Sequence, residues 1–218
     1  MIRTYADFPY QISFGRWLAT TCLSAALVAG TCLPVMAEQM NGEGGLVQTV
    51  DHSALTMEAK GRIKALGAEL QAALKGAIQA GGHLAAVEAC NLQAPGIAQS
   101  LSDGAWKVGR TSLRTRNAGN QPDTWESEVL ARFDRQSAEG KPVEELVHAE
   151  TVDIDGHSVF RFMKAISVQE GCLGCHGDPG GMNPELTQKI HALYPQDRAI
   201  GYKVGDIRGA FSLSKQLD

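Results

Sequence analysis

One short run of this sequence combines residue types that could hold a metal-containing cofactor. Cys172 and Cys175 are separated by two residues and His176 follows directly, which gives the pattern C-x-x-C-H. Two thiols at this spacing can each form a thioether with a haem vinyl group, and the adjacent imidazole can then bind the iron. The pattern therefore predicts one covalent haem c, attached through Cys172 and Cys175, with His176 as the proximal ligand.

Other chemistries of a C-x-x-C pair have to be weighed against haem attachment. The pair could be a redox dithiol, half of a zinc site or a small disulfide. A redox dithiol usually lies where a strand enters a helix in a β-α-β unit, and a structural zinc usually needs a second pair of ligands at similar spacing. The sequence around Cys172 has neither context. The histidine that follows directly favours haem.

A haem iron has two axial positions, so a second ligand has to come from elsewhere in the chain. After His176 the candidates are Met182, which is too close in sequence to wrap around the porphyrin, and His191. The candidates before the motif are His83, Cys90, His148, His157 and Met163. Cys90 is the most specific of them, because a lone thiol on an apolar helix face can bind ferric iron as a thiolate. An inert buried cysteine is the alternative.

Three arginines with even spacing lie in a run that is predicted to be extended. Arg110, Arg114 and Arg116 would emerge on one face of a strand, since side chains alternate between the two faces of a sheet. They could neutralise haem propionates, and Arg110 and Arg114 are the candidates for that role. Pairing with nearby Asp or Glu residues, or a solvated charged face, is the alternative.

The first residues predict a secretory signal peptide over 1–37. Arg3 and Arg16 precede an uncharged apolar run from Trp17 to Met36, and Ala37 completes a cleavage site. An uncleaved N-terminal anchor is the alternative, because the apolar run is about long enough to span a bilayer. We expect cleavage, with the protein in the periplasm or secreted.

Cleavage would also determine which thiols remain. Cys22 and Cys32 would leave with the signal peptide, so Cys90 would be the odd thiol beside the motif pair. An odd thiol in an exported protein is exposed to oxidation, and its retention suggests burial or a ligand role. Residues 38–52 predict a flexible leader, and residues 53–218 predict a single domain.

The charge balance argues against nucleic acid as a partner. The chain has 20 Lys and Arg residues against 24 Asp and Glu residues, a net charge of −4. Nucleic-acid binding needs clustered positive charge. The sequence also lacks a phosphate-binding loop, a dinucleotide-binding glycine pattern and the H-E-x-x-H motif.

Helical periodicity precedes the arginine run. From Ser53 to Ala80, apolar residues recur at three- or four-residue steps on one face, namely Ile63, Leu66, Leu70, Leu74 and Ile78. Gly81-Gly82 is expected to stop this helix. A second helix from about His83 would carry Cys90 on its apolar stripe until Pro95 ends or kinks it.

The second half of the chain predicts one more long helix and most of a small sheet. Pro122 suits the first position of a helix that ends near Gly140 and carries the stripe Trp125, Val129 and Phe133. Segments 146–154 and 157–166 flank Asp155-Gly156, a favoured hairpin turn, and the implied register places Glu150 opposite Arg161. A helix over Pro184–Leu193 and a strand over 202–214, with Ile207, Phe211 and Leu213 on one face, complete an α+β domain.

Several segments together resemble a known family. The segments are Val87–Cys90 followed by Ala94-Pro95, then Gly109–Asn117, Asn120–Glu126 and Gly201–Ala210. They resemble single-haem c-type domains with a PAS-like fold, found as secreted proteins and as extracytoplasmic sensing modules of chemoreceptors and histidine kinases. The resemblance covers nearly all of the chain after the signal peptide. It implies a PAS-like antiparallel sheet flanked by long N-terminal helices, and a His/Cys axial pair in which Cys90 is the distal ligand to His176.

We therefore expect an exported mono-haem cytochrome that senses redox state or a diatomic gas. Reduction would weaken the iron–sulfur bond, release Cys90 and open a site for CO or NO. The rival hypothesis is a soluble electron carrier whose axial pair never dissociates; a weak peroxidase, which needs acid–base groups on an open distal side, is a minor alternative. An unknown redox or signalling protein would be the partner, and the first helix could serve a homodimer.

Overall fold

The computed structural model describes residues 51–218. The predicted signal peptide, 1–37, and residues 38–50 of the predicted leader lie outside the described residues. Of the described helices, none is long and apolar enough to cross a membrane.

The first helix, α1, covers His52–Leu92 and is broken near its C-terminal quarter. Asp51 caps its start by accepting hydrogen bonds from the backbone N–H groups of Ser53 and Ala54 at 2.9 and 3.2 Å. Gly81 and Gly82 leave helical geometry, and Gly82 has φ 66° and ψ −160°, a backbone conformation open mainly to glycine. The predicted break at Gly81-Gly82 is thus confirmed, and the residues after it form a separately oriented segment.

Four antiparallel strands form one sheet in the order β1-β4-β3-β2. The strands are β1 (Trp106–Thr111), β2 (Val147–Ile154), β3 (His157–Ser167) and β4 (Ile207–Gln216). The helices besides α1 are α2 (Ala94–Ser100), α3 (Thr124–Ala138), α4 (Leu173–His176) and α5 (Pro184–Leu193). The predicted α+β class, with a small antiparallel sheet and a long N-terminal helix, is confirmed.

The hairpin of β2 and β3 has the predicted register. Asp155 and Gly156 have φ values of 54° and 82°, as a two-residue primed turn requires, and Glu150 lies opposite Arg161. The two charges do not pair with each other, however. Arg161 pairs with Asp123 at 2.7 Å, because the start of α3 covers this face and brings a carboxylate closer.

The start of α3 differs from its prediction. Pro122 is not the first helical residue, because Asp123 is the N-cap and the helix begins at Thr124. Asp123 accepts from the backbone N–H of Glu126 at 2.8 Å, and Glu126 accepts from that of Asp123 at 3.0 Å. This reciprocal pair satisfies two backbone donors at the helix end and fixes where the helix begins.

The sheet is covered on both faces. On one face, the buried residues of α1 meet those of β1, β3 and β4, namely Leu55, Ala59, Ile63, Leu66, Trp106, Val108, Phe160, Phe162 and Leu213. On the other face, the predicted stripe of α3 packs on the sheet around Met163, Ala165 and Ala210. The predicted core-facing role of Trp125, Val129 and Phe133 is confirmed.

A β-bulge interrupts β4. Ile207 and Gly209 pair with consecutive residues of β3, so Arg208 has no partner there. The extra residue changes the alternation: Phe211 packs on the α1 side of the sheet, whereas Ile207 packs on the α3 side. The predicted common face of Ile207 and Phe211 is therefore wrong, because it assumed an uninterrupted ladder.

Candidate cofactor site

The C-x-x-C-H motif folds as one helical turn that follows β3. Cys172 ends a short 3₁₀ turn, and α4 carries Cys175 and His176. Cys172 packs beside Val168, Ala199 and Tyr202, and Cys175 packs beside Val87, Leu186 and Tyr194. Both sulfurs are free thiols, as is Cys90. Within residues 51–218, no group of three or more His, Cys, Asp or Glu side chains is arranged to hold a metal ion, so the second pair that a zinc site would need is not found there.

One ring nitrogen of His176 has a lone pair that could bind a metal ion. Its Nδ1 lies 2.7 Å from the carbonyl oxygen of Ala199, which can only accept a hydrogen bond, so Nδ1 carries the proton. Nε2 therefore holds the lone pair. Burial and the positive charges of Arg208 and Arg116 lower the pKa of His176 to about 3. The imidazole is neutral at physiological pH, as a metal ligand must be.

Arg116 connects the motif to the loop that orients His176. Its Nη2 donates to the carbonyl oxygen of Cys175 at 2.6 Å, and its Nε donates to Asp197 at 3.1 Å. Asp197 also accepts from the backbone N–H of Ala199 at 2.8 Å. The side chains of Arg116 and Asp197 are only 10% and 2% exposed. For Arg116, the structure thus favours pairing with an acidic residue over a solvated charged face.

Cys90 lies near the motif on the segment of α1 that follows the glycine break. Its sulfur is close enough to Arg110 and Arg116 for their charges to favour a thiolate there. Although the residue is accessible to solvent, the protein atoms around its sulfur raise the pKa of the Cys90 thiol, and the two arginines oppose that rise. Cys90 is therefore a protonated thiol in the protein alone at neutral pH.

The three predicted arginines do not share a strand face, because β1 ends at Thr111. Arg110 remains on β1 near Cys90, where desolvation lowers the pKa of its guanidinium. Arg114 instead donates to the carbonyl oxygens of Arg198 and Ile200, and its guanidinium lies 4.1 Å from the ring centre of Tyr202. Of the two candidates for haem propionates, only Arg110 is free of such backbone contacts among the described residues.

Sequence reasoning missed Arg208. Its Nη1 donates to the hydroxyl of Ser112 and to the carbonyl oxygen of Arg114, both at 3.2 Å, and its charge acts on His176. Alternation alone would have placed Arg208 on the α3 side of the sheet. The one signal in the sequence was Gly209, since a glycine inside a strand often marks a bulge.

The other candidate ligands lie in different places. Met163 is fully buried beneath α3, the ring of His148 lies beside Arg132, and His157 pairs with Asp218 at 3.6 Å. His191 is an exposed residue of α5.

His83 and Met182 line a cavity of about 750 Å³ next to the motif. Leu173 and Gly174, the two residues between the motif cysteines, form part of its wall. Neither Cys175 nor His176 lines it. The structure thus brings Cys90, His83 and Met182 to the neighbourhood of the motif.

The predicted donor groups fit an iron porphyrin attached through two thioethers. Two reduced thiols stand one helical turn apart, a neutral imidazole offers Nε2, and a third thiol lies close by. Arg110 and Arg208 bring positive charge to the same region, which suits a cofactor that carries carboxylates.

A family model and a solved structure match this chain. A family model described as Tll0287-like matches residues 35–215. Among solved structures, the crystal structure of the cyanobacterial heme-protein Tll0287 matches with a TM-score of 0.54 and 22% sequence identity, over 74% of this chain and 96% of that chain. At this identity the likeness shows a common fold. No curated protein matches the sequence.

Proposed function

This chain belongs to the Tll0287-like family, and from that premise we propose that it is an exported haem protein that senses redox state or a diatomic gas. Cys172 and Cys175 attach one haem c, and His176 binds its iron. The observation that carries the proposal is the free Nε2 of a neutral His176 beside two reduced thiols. The similar cyanobacterial structure is that of a heme-protein, which supports the same cofactor.

The side chains of the site have distinct roles in this proposal. When bound, the haem supplies one-electron chemistry and a position for small gases at its iron. His176 donates Nε2, and the hydrogen bond from its Nδ1 to Ala199 fixes the ring and strengthens the donor. Cys90 supplies the second ligand as a thiolate. Arg110 stabilises the negative charge of that thiolate.

Sensing is assigned to Cys90. A thiolate favours the ferric state, so one electron from a reduced redox protein would weaken its bond. Cys90 would then leave, take up a proton from solvent and become a neutral thiol. The position would be open to CO or NO. Because Cys90 lies beyond the Gly81-Gly82 break, its release can shift this segment of α1 while the preceding part stays packed on the sheet. A separate protein partner would receive that movement, and no catalytic step is assigned to the chain.

A soluble electron carrier is the second candidate. The buried pair of Arg116 and Asp197 holds the motif helix and the Ala199 carbonyl in place, and a rigid ligand suits a carrier that must not rearrange between redox states. In a carrier, Cys90 would stay bound in both states and CO would not bind.

Optical and electron paramagnetic resonance spectra test both functions. The wild-type protein is matured with haem-attachment machinery and recorded oxidised and reduced, with and without CO. We expect a low-spin ferric spectrum that Cys90→Ala alters, and a reduced form that binds CO. His83→Ala and Met182→Ala are matched controls from the same neighbourhood, and their ferric spectra should equal that of the wild type.

Each outcome bears on one part of the proposal. An unchanged ferric spectrum in Cys90→Ala removes Cys90 as the ligand. Reduced protein that keeps its ligation and binds no CO favours the carrier. Protein that carries no covalent haem after maturation contradicts the haem assignment itself.

A further inference from the structure

The β4 bulge directs one arginine toward the cofactor site. We propose that Arg208, together with Arg110, binds the carboxylate end of the haem and raises its midpoint potential. This inference rests on the proposed haem, and it assigns the anion site to Arg208 rather than to Arg114.

The backbone around Arg208 explains how its side chain reaches this face. In a β4 strand without the bulge, Arg208 and Phe211 would lie on opposite faces of the sheet. Arg208 would then lie on the same side as Ala210, beneath α3. The bulge inserts Arg208 as an unpaired residue, and its side chain reaches the hydroxyl of Ser112. Its guanidinium carbon also lies 5.5 Å from the ring centre of Tyr202, which packs edge-on against the ring of His176. Gly209 makes this possible, because it has φ 152° and a Cβ there would overlap the carbonyl oxygen of Thr111.

The charges in this region are unbalanced. Of the three arginines near His176, Arg116 has a carboxylate partner, Asp197, at 3.0 Å. Within residues 51–218, neither Arg110 nor Arg208 has an acidic side chain within ion-pair distance. Arg110 is exposed and Arg208 is half-buried, and the repulsion between their charges falls when an anion lies between them.

A carboxylate-bearing cofactor is the anion that fits this pair. A guanidinium presents a planar fork of donors that matches a carboxylate, and Arg208 is already oriented by two hydrogen bonds from its Nη1. Because reduction removes one positive charge from the iron, nearby cations favour the reduced state. Loss of Arg208 should therefore lower the midpoint potential.

Redox titration of the haem-loaded protein tests the inference. We expect Arg208→Gln to lower the potential enough to change the ferric-to-ferrous ratio at least tenfold at a fixed poise, which is about 59 mV for one electron. Arg208→Lys should restore part of the shift, since it keeps the charge without the fork. Redox-induced infrared difference spectra should show altered carboxylate bands in Arg208→Gln. Arg198→Gln, which changes an exposed arginine nearby, is the control.

A second variant decides the question if Arg208→Gln does not fold. Arg110→Gln is compared with its parent in the Cys90→Ala background, so that thiolate ligation cannot contribute, and it should also lower the potential and alter the carboxylate bands. Haem-loaded variants with the potential and infrared bands of Arg198→Gln would overturn the inference. So would a larger shift from Arg114→Gln than from Arg208→Gln. A wild type without covalent haem would instead contradict the proposed function.

Discussion

Arg116 positions His176 indirectly, through hydrogen bonds to backbone carbonyl oxygens around it. Its guanidinium donates to the carbonyl oxygens of Cys175 and Ala199 at 2.6 and 3.3 Å, and the Ala199 carbonyl also accepts a hydrogen bond from Nδ1 of His176. The charge of Arg116 is balanced by Asp197 in a nearly solvent-free position. Removing one member of such a pair leaves the other buried and uncompensated.

Arg116→Gln should therefore destabilise the protein and disturb His176 together. We expect the free energy of unfolding to fall by about 3 kcal/mol, because Asp197 would remain buried without its partner. In the haem-loaded protein, the ferric electron paramagnetic resonance signal should broaden as the imidazole loses its fixed orientation. Urea unfolding and the ferric spectrum measure the two effects.

The neighbouring Arg198→Gln serves as the control for this prediction. Its side chain is exposed, and such substitutions usually change stability by less than about 0.5 kcal/mol. If Arg116→Gln behaved in the same way, the pair with Asp197 would not position His176.

At the scale of elements, the break in α1 separates two functions. The part before Gly81 packs on the sheet through Leu55, Ile63 and Leu66. The part after Gly82 carries Cys90 and packs through Val87 against α5. A continuous helix would fix the direction of the second part by that of the first. The two glycines let each part follow its own contacts.

Glycine-to-alanine substitutions at two positions of α1 should therefore change the free energy of unfolding in opposite directions. Gly82→Ala forces an alanine into φ 66° and ψ −160°, and we expect a loss of about 1–3 kcal/mol. Gly76→Ala lies in regular helix with open space around its Cβ position, and we expect a gain of up to about 1 kcal/mol. Thermal unfolding followed by circular dichroism gives both values. A stabilised Gly82→Ala would mean that α1 can run straight through this position.

Local patterns predicted the hairpin well but not the bulge. Asp155-Gly156 and the alternating residues beside it determine the register of β2 and β3 within a short stretch of chain. The bulge depends on how β4 meets β3 and on the contact of Gly209 with Thr111, which is remote in sequence. No periodicity in β4 alone reports that contact, so the side of the sheet on which Ile207 lies was predicted wrongly.

The candidate site was likewise predicted only in part from the sequence. The motif thiols and His176 were predicted because they are adjacent in the chain. The acceptor for His176, the Ala199 carbonyl, is a backbone group that no residue type identifies. Arg116 bonds to Asp197, which is 81 residues away in the sequence, and Arg208 bonds to Ser112, which is 96 residues away. These partners become visible only once the loop after α5 has folded back onto the motif.

At the scale of the whole molecule, the proposed site and the core beneath α3 are built from different residues. Cys172 and Cys175 pack in clusters with Val87, Leu186 and Tyr194 and with Val168, Ala199 and Tyr202. The α3 side holds a core built on Val129, Leu130 and Phe133, with none of the proposed site residues in it. Stability and cofactor properties should therefore be separable by mutation.

Phe133→Ala tests that separation. Phe133 is 0% exposed, and its truncation should lower the free energy of unfolding by about 3–5 kcal/mol. The folded, haem-loaded fraction should keep the wild-type ferric spectrum, because the cavity forms in a cluster that is separate from those around Cys172 and Cys175. A changed ferric spectrum in folded Phe133→Ala would show that the two faces are coupled.

Export and haem attachment should leave one signature in the mature protein. If the chain is exported and loaded with haem as proposed, a cleaved chain and a bound haem should occur in the same molecule. We expect N-terminal sequencing of the protein matured with haem-attachment machinery to begin at Glu38, and its intact mass to equal residues 38–218 plus one haem. The variant with Cys172→Ser and Cys175→Ser should begin at the same residue and lack the added mass, since it keeps the signal and loses both attachment points.

A chain that retains residues 1–37 with haem attached would instead indicate an N-terminal anchor. Equal masses added to the wild type and the double variant would mean that these two thiols are not the attachment site.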